Sequence, residues 1–222
     1  MSTTFRVEVD WDHDGTWTDE SAYVLRVQSR SGFAAAGDPV AEVGRCTITL
    51  DNTTRRFSPG NASGALYGKL LPRRVVRVQA ISGAETWTLF RGFIERLEPD
   101  SGLRGAGAVR LACVDAIALL ARQRLSVEHA ESKTVSAAVA EIVSAVYTPP
   151  GTAYRDNGDS LNHYGYAWQP EHTTALDALR DVADAVYGRF FVARDGTPTF
   201  ATRDQLQNPT TTVAATFGDA VE

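Results

Sequence analysis

The first candidate for chemistry is a run of alternating aspartates near the start of the sequence. Asp10, Asp12 and Asp14 occupy every second position and are followed by Gly15. Carboxylates at this spacing, with glycine at the sixth position, are typical of a calcium-binding loop. The twelfth position of such a loop is Ser21, where a bidentate glutamate is expected. The pattern therefore favours a charged hairpin turn, with calcium binding as the alternative.

The sequence carries no familiar catalytic signature. It contains no G-x-S-x-G elbow, no phosphate-binding Walker loop, no H-E-x-x-H and no C-x-x-C. Asp177, Asp181 and Asp184 share one side of a predicted helix with Arg180 beside them, which favours a solvated face over a catalytic carboxylate pair. The sequence therefore predicts no enzyme, no catalytic residue and no cofactor.

The two cysteines are predicted to be buried and reduced. Cys46 and Cys113 each lie on the apolar face of an alternating stretch. Free cysteine is among the most buried residue types, and two cysteines do not make a disulfide scaffold. We expect both to act as small hydrophobic side chains.

Charge and hydropathy argue against a general nucleic-acid-binding protein, a membrane-spanning protein and a secreted protein. With 22 Lys and Arg against 27 Asp and Glu, the formal net charge is −5. A general nucleic-acid binder is expected to carry a basic excess instead. No run approaches the ~18 apolar residues of a membrane span, and no secretory signal opens the sequence. These features predict a protein that folds in a cytoplasm.

The first hundred residues have the period of strands. Apolar and polar residues alternate over 5–11, and Tyr23, Leu25 and Val27 are predicted to share a face. Further strand patterns cover 46–50, 74–81 and 86–95, and no helical period interrupts them. We predict one antiparallel barrel or sandwich over residues 1–107.

The remaining sequence mixes helices and strands. After a strand at 109–114, Asp115 is predicted to cap a short helix, and a second helix is predicted over 134–147. A polar loop is predicted over 151–162, a third helix from about Thr173 to Gly188, and a hairpin over 189–202. This makes a smaller α+β domain at 108–202, while 203–222 is predicted to be a tail or the start of a further domain. The fold class is α+β, mainly β.

Several stretches, in order, resemble one known family. VEVDWDHDGTWTDES is similar to the first hairpin of tailed-phage tail proteins. GRCTITLDNTTRRFSPGNASGALYGKLLPRRVVRVQA and TWTLFRGFIERLEP resemble the strand blocks that follow in that family. VRLACVDAIALLAR and TALDALRDVADAVYGRFFVARDGTPTF resemble its α+β segment. The sequence is thus similar to the baseplate or tail-tip hub proteins of phages and prophage-like tail machines over about residues 5–202.

That resemblance implies a structural role. It implies a tail-tube-like barrel at 1–107 and a homotrimeric ring in the virion tail, made in the host cytoplasm. The ring would join the tail tube and tape measure to host-facing parts, with DNA passing through without specific binding. The family pattern continues with a second barrel beyond this sequence. A distal-tail or tube-like ring subunit, and a calcium- or carbohydrate-binding β module, stay open as alternatives.

Two loops are predicted to contact partners. The first contains Arg55, Arg56, Phe57 and Pro59, because arginine and aromatic residues are enriched at interface hot spots. An ordinary surface loop, with Phe57 tucked under the barrel, is the equal alternative. The second loop contains three tyrosines: Tyr154, Tyr164 and Tyr166.

Overall fold

The computed structural model describes residues 3–99, 107–125, 133–156 and 173–207. The first region, residues 3–114, supplies seven strands: β1 (Thr3–Asp10), β2 (Thr18–Asp19), β3 (Val24–Gly32), β4 (Glu42–Asp51), β5 (Val75–Ser82), β6 (Glu85–Pro99) and β7 (Ala108–Val114). The second region, residues 115–207, supplies the remaining elements: α1 (Ala116–Arg122), α2 (Val135–Ser144), β8 (Ala153–Arg155), α3 (Ala175–Ala185), β9 (Arg189–Val192), β10 (Pro198–Ala201) and α4 (Arg203–Gln207).

The seven strands of the first region form one open sheet. Their order is β2-β1-β5-β6-β7-β4-β3, and every neighbouring pair is antiparallel. The α+β, mainly β fold class is therefore confirmed, but the closed barrel is wrong for the described part of the chain. Closing the barrel would require the two outer strands, β2 and β3, to pair with each other. Strand β2 has two residues and β3 has nine, so β2 offers too few backbone groups to pair along the length of β3.

One face of this sheet carries the core of the first region. Side chains from β1, β4, β5, β6 and β7 alternate onto this inner face and are buried there. The connection between β4 and β5, residues 52–74, adds Phe57, Leu66 and Leu70 to the same core. We call residues 52–74 the plug loop. It covers apolar area that a second sheet would cover in a sandwich.

The predicted burial of both cysteines agrees with the structure. Cys46 in β4 lies directly opposite Cys113 in β7, and both are buried free thiols. Burial raises the pKa of Cys46 to about 12 and that of Cys113 well above its ordinary value. Because the thiolate is the reactive form, both thiols are poor nucleophiles.

Local capping sets the helices of the second region. The Asp115 carboxylate accepts the Ile117 N–H at the start of α1, as the sequence predicts. The Thr134 hydroxyl accepts the Ala137 N–H at the start of α2. At α3, Thr174 and Asp177 form a reciprocal capping box. Asp177 is thus part of a cap as well as of the solvated face.

The helices pack around a small sheet with the order β8-β10-β9. The predicted hairpin is confirmed as β9 and β10, but β8 lies inside the predicted polar loop and pairs in parallel with β10. The short helix α4 lies in the predicted tail. Both differences arise in short elements, which carry too few residues to show a period.

The first region differs from the sequence-based prediction at three points. The register of β3 against β4 shifts between Val24 and Arg26, and Leu25 is 61% exposed instead of facing the core with Tyr23 and Val27. A 3₁₀ turn, Ser21–Tyr23, also precedes β3. In addition β7, which the sequence grouped with the second region, pairs with β4 and β6.

The two regions are joined by backbone hydrogen bonds between residues 39–41 and β9, and by apolar packing beside them. The Ala41 N–H donates to the Phe190 carbonyl at 2.9 Å, and the Phe190 N–H donates to the Pro39 carbonyl at 2.8 Å. Ala41, Ile117 and Val192 are buried together beside these hydrogen bonds.

Within the described ranges no helix is long and apolar enough to cross a membrane.

Candidate functional site

Arg56, near the start of the plug loop, forms a partly buried ion pair with Glu20, which precedes β3. The Arg56 guanidinium donates to both carboxylate oxygens of Glu20, at 2.9 and 2.7 Å, and the Trp11 indole N–H donates to Glu20 Oε1 at 2.9 Å. Glu20 is fully buried, and its hydrogen bonds raise the pKa of Arg56. The guanidinium also lies 5.4 Å from the centre of the Tyr23 ring. This geometry gives Arg56 a structural role.

The four residues predicted for one interface are therefore divided between core and surface. Phe57 is fully buried and contacts Tyr23 edge-on, with ring centres 5.4 Å apart. Phe57 therefore contributes to the core instead of to a surface, as the surface-loop alternative anticipated. Arg55 and Pro59 are exposed. Of these four residues, Arg55 and Pro59 remain candidates for contact with a partner.

The three aspartates of the N-terminal turn do not converge. Asp10 is buried and its two oxygens accept the N–H groups of Asp14 and Gly15, at 3.2 and 2.9 Å. Asp12 accepts from Lys69 at 2.8 Å, and Asp14 accepts from the Thr16 N–H, which lowers the pKa of Asp14. Among the described residues no cluster of three or more potential ligands could hold a metal ion. The carboxylates stabilise the turn and attach it to the plug loop.

Of the second predicted loop the structure describes only Tyr154; Tyr164 and Tyr166 lie outside the described residues. Tyr154, in β8, packs against the core of the second region, and its hydroxyl is buried without a hydrogen-bond partner. Burial raises the pKa of Tyr154 to about 12. Its hydroxyl is therefore turned toward the interior of the second region.

The surface best suited to assembly is one that the sequence analysis missed. Strand β3 lies at the edge of the large sheet, has nine residues, and seven of them are exposed. No described strand pairs with its outer side. An open edge of this length presents unpaired N–H and carbonyl groups that can accept a strand from another chain. The available signal was the run of consecutive polar residues Gln28–Ser31, which makes both faces of the strand polar.

Strands β1 and β6 carry exposed aromatic side chains on either side of β5. Phe5 in β1 and Trp87 in β6 are 64% and 48% exposed. Both lie opposite Ala80 of β5, and this row continues the inner face beyond the core. The predicted half-buried face of β1 is therefore buried at Val7 and Val9 but open at Phe5.

Comparison with known proteins identifies solved structures that have a similar fold. No family profile matches the sequence, and no curated protein matches it significantly. The tail protein from Neisseria meningitidis MC58 superposes with a TM-score of 0.61 at 14% identity, covering 90% of this chain and 51% of that one. The 43 kDa tail protein of prophage MuSo2 from Shewanella oneidensis superposes with a TM-score of 0.59 at 12% identity, covering 91% and 55%.

The resemblance to tail proteins that the sequence predicts is thus confirmed at the level of the fold. The chain spans about half the length of both solved tail proteins.

Proposed function

We propose that this chain is a structural subunit of a phage or prophage-like tail, and that it forms the hub ring at the tail tip. The observation that carries the proposal is the open seven-stranded sheet, with a nine-residue edge that no described strand covers, in a fold shared with two tail proteins. An edge of this kind is stable in solution only when something covers or blunts it. In a ring, each subunit's edge is covered by the next subunit.

The two edges of the sheet differ in the way a cyclic ring requires. A closed ring uses two different patches on each subunit. Strand β2 is two residues long and its Asp19 is paired with Arg6 at 3.8 Å, so that edge is short and charged. Strand β3 is long and carries the exposed apolar side chain of Leu25. We therefore assign β3 as one of the two patches of the ring contact.

The proposal assigns the chain no catalytic step. Its partners are further copies of itself and the neighbouring tail proteins, its place is the virion tail, and DNA passes through the ring. The proposed division is a tail-tube-like first domain followed by an α+β domain.

Light scattering coupled to size exclusion tests the ring. We expect a trimer near ~72 kDa, three times the 24.0 kDa chain, since cyclic symmetry fixes the subunit number. A hexamer would contradict the hub and favour a distal-tail or tube-like ring subunit. A monomer at every concentration would contradict self-assembly of this chain.

A matched pair of leucine variants locates the contact. Leu25 and Leu71 are both exposed, at 61% and 49%, but only Leu25 lies on β3. We expect Leu25→Lys to shift the trimer toward monomer, because an interface charge must be desolvated or repelled. Leu71→Lys is expected to leave the mass unchanged. Equal effects of the two substitutions would remove β3 from the contact.

A further inference from the structure

We propose that the open edge of β3 and the cleft at its end together bind an extended, acidic segment of a partner protein, with one large apolar side chain of that segment in the cleft. The cleft has a volume of about 690 Å³ and lies where the end of β3 and the start of β4 meet α1 and α3. This inference rests on the proposed assignment of β3 as a contact surface and states what the partner must present there.

The edge of β3 selects an extended polypeptide. Strand β3 has nine residues, and no described strand pairs with its outer side. At ~3.3 Å per residue, nine residues make an edge about 30 Å long. An added strand binds such an edge through main-chain hydrogen bonds, while pockets for its alternate side chains give specificity. The sequence of the partner segment is therefore selected by the side chains around the edge and the cleft.

The wall of the cleft selects an apolar side chain. Val40, Ala41 and Ile117 line it and are buried, and Leu176 of α3 adds a partly buried side chain. The backbone of 39–41 is hydrogen-bonded to β9, which holds this part of the wall in place. A volume of about 690 Å³ lies within the range of about 300–1,000 Å³ that is usual for ligand pockets. An aromatic side chain and the backbone that carries it fit this space.

The charges around the edge and the cleft select acidic neighbours. Six charged side chains of β3 and the cleft are involved: Arg26, Arg30, Arg45, Arg180, Asp38 and Glu42. They leave an excess of positive charge on a chain whose net charge is −5. The Arg30–Glu42 pair, at 3.3 Å, is exposed, and a pair of this kind contributes little and can be exchanged for another. Opposite charges across two paired strands stabilise the pairing, so acidic side chains opposite β3 are favoured.

Isothermal titration with a nine-residue peptide tests the site. The peptide acetyl-Phe-Thr-Glu-Thr-Val-Thr-Glu-Thr-Phe-amide has the length of β3 and reads the same in both directions. Parallel and antiparallel pairing therefore both bring a phenylalanine to the cleft. We expect saturable binding of one peptide per chain. Wild type and Leu25→Lys are both titrated, because the proposed ring covers β3 in wild type and this substitution is expected to open it.

Three altered peptides separate the contributions of backbone, charge and anchor. Proline in place of the central valine removes an N–H and cannot continue a strand pair, so we expect no saturable binding. Lysines in place of both glutamates are expected to weaken binding at least ~10-fold, because like charges then face β3. Alanines in place of both phenylalanines are expected to weaken it ~10-fold, because aromatic anchors in pockets carry much of the binding energy.

Two matched pairs of protein variants locate the site. Arg30→Glu is expected to weaken binding of the acidic peptide ~10-fold, and its side chain is 86% exposed, so the substitution leaves the core untouched. Arg55→Glu, at an exposed position in the plug loop, makes the same charge change and is expected to have no effect. Ala34→Phe adds a ring at an exposed position that lines the cleft, and is expected to block it. Ala36→Phe is its control, since Ala36 is exposed in the same loop but does not line the cleft.

The outcomes separate this inference from the ring. If the peptide binds neither wild type nor Leu25→Lys, strand addition at β3 is overturned, whereas a trimer in light scattering would still support the ring. Equal binding of the proline peptide, or equal effects of Arg30→Glu and Arg55→Glu, would also overturn it. Binding of the acidic peptide to a wild-type chain that is monomeric would support the site and contradict the ring.

Discussion

Two buried carboxylates, Glu20 beside the plug loop and Asp115 at the junction between the two regions, are hydrogen-bonded by different kinds of group. Glu20, fully buried, is bound by the Arg56 guanidinium and the Trp11 indole. Asp115, 5% exposed, accepts the N–H groups of Gly44 and Ile117 at 2.9 and 3.1 Å. A guanidinium neutralises the charge, whereas backbone amides only solvate it.

This difference has a consequence for protonation. Burial raises the pKa of Asp115 to about 7, against the opposing effect of its backbone hydrogen bonds. The charge of Glu20 is therefore balanced by the Arg56 side chain, whereas the charge of Asp115 depends on pH. Two neighbouring parts of one chain thus differ in the groups that stabilise a buried carboxylate.

The largest effect is expected from Arg56→Ala. It leaves Glu20 buried without its cation, and breaking a buried ion pair in this way costs ~3–5 kcal/mol. Urea unfolding followed by tryptophan fluorescence measures the loss. Arg55→Ala is the matched control, because Arg55 is the exposed neighbour, and surface substitutions change the free energy of unfolding by about 0.5 kcal/mol or less. Similar losses in the two variants would show that the pair contributes nothing beyond ordinary packing.

Gly44→Ala tests the junction by crowding it. A Cβ at position 44 would lie 2.4 Å from Asp115 Oδ2 and 3.0 Å from its Cγ, so the cap of α1 must shift. Overpacking of this kind costs ~1–3 kcal/mol. Gly37→Ala is the control, since a Cβ there meets nothing within 4 Å. If Gly44→Ala were as stable as Gly37→Ala, the carboxylate would be free to move, and the close packing at the junction would not be needed for stability.

The sequence predicted elements that local signals determine and missed those that distant contacts determine. Asp115 was identified as a cap because its partner N–H is two residues away, and the apolar stripe of α2 lies within a single helix. The pairing of Arg56 with Glu20 crosses 36 residues, and the hydrogen bond from Gly44 to Asp115 crosses 71. No period or spacing encodes such contacts. The same reasoning explains why the sequence leaves Phe57 open between core and surface, and why it does not predict that β3 lies at the edge of the sheet.

The last expected effect, and the smallest one per pH unit, is the pH dependence that Asp115 confers on the free energy of unfolding. Between about pH 4 and pH 7 the folded protein keeps a proton on Asp115 that the unfolded chain releases near 3.8. The folded state therefore binds more protons, so the free energy of unfolding falls as pH rises through this window and levels off above about 7. The slope from this group is at most ~1.4 kcal/mol per pH unit, because one proton is linked.

Urea unfolding of wild type and Asp115→Asn, at steps from about pH 5 to about pH 8, measures this slope. Asparagine is a good N-cap that does not titrate, so it keeps the start of α1 and removes the proton. Every other titratable group is present in both proteins, so the difference between the two slopes belongs to Asp115. Arg55→Ala, with Asp115 intact, is expected to keep the wild-type slope. Parallel curves for wild type and Asp115→Asn would mean that the backbone amides alone hold the carboxylate charged, and the two buried acids would then be satisfied equally well.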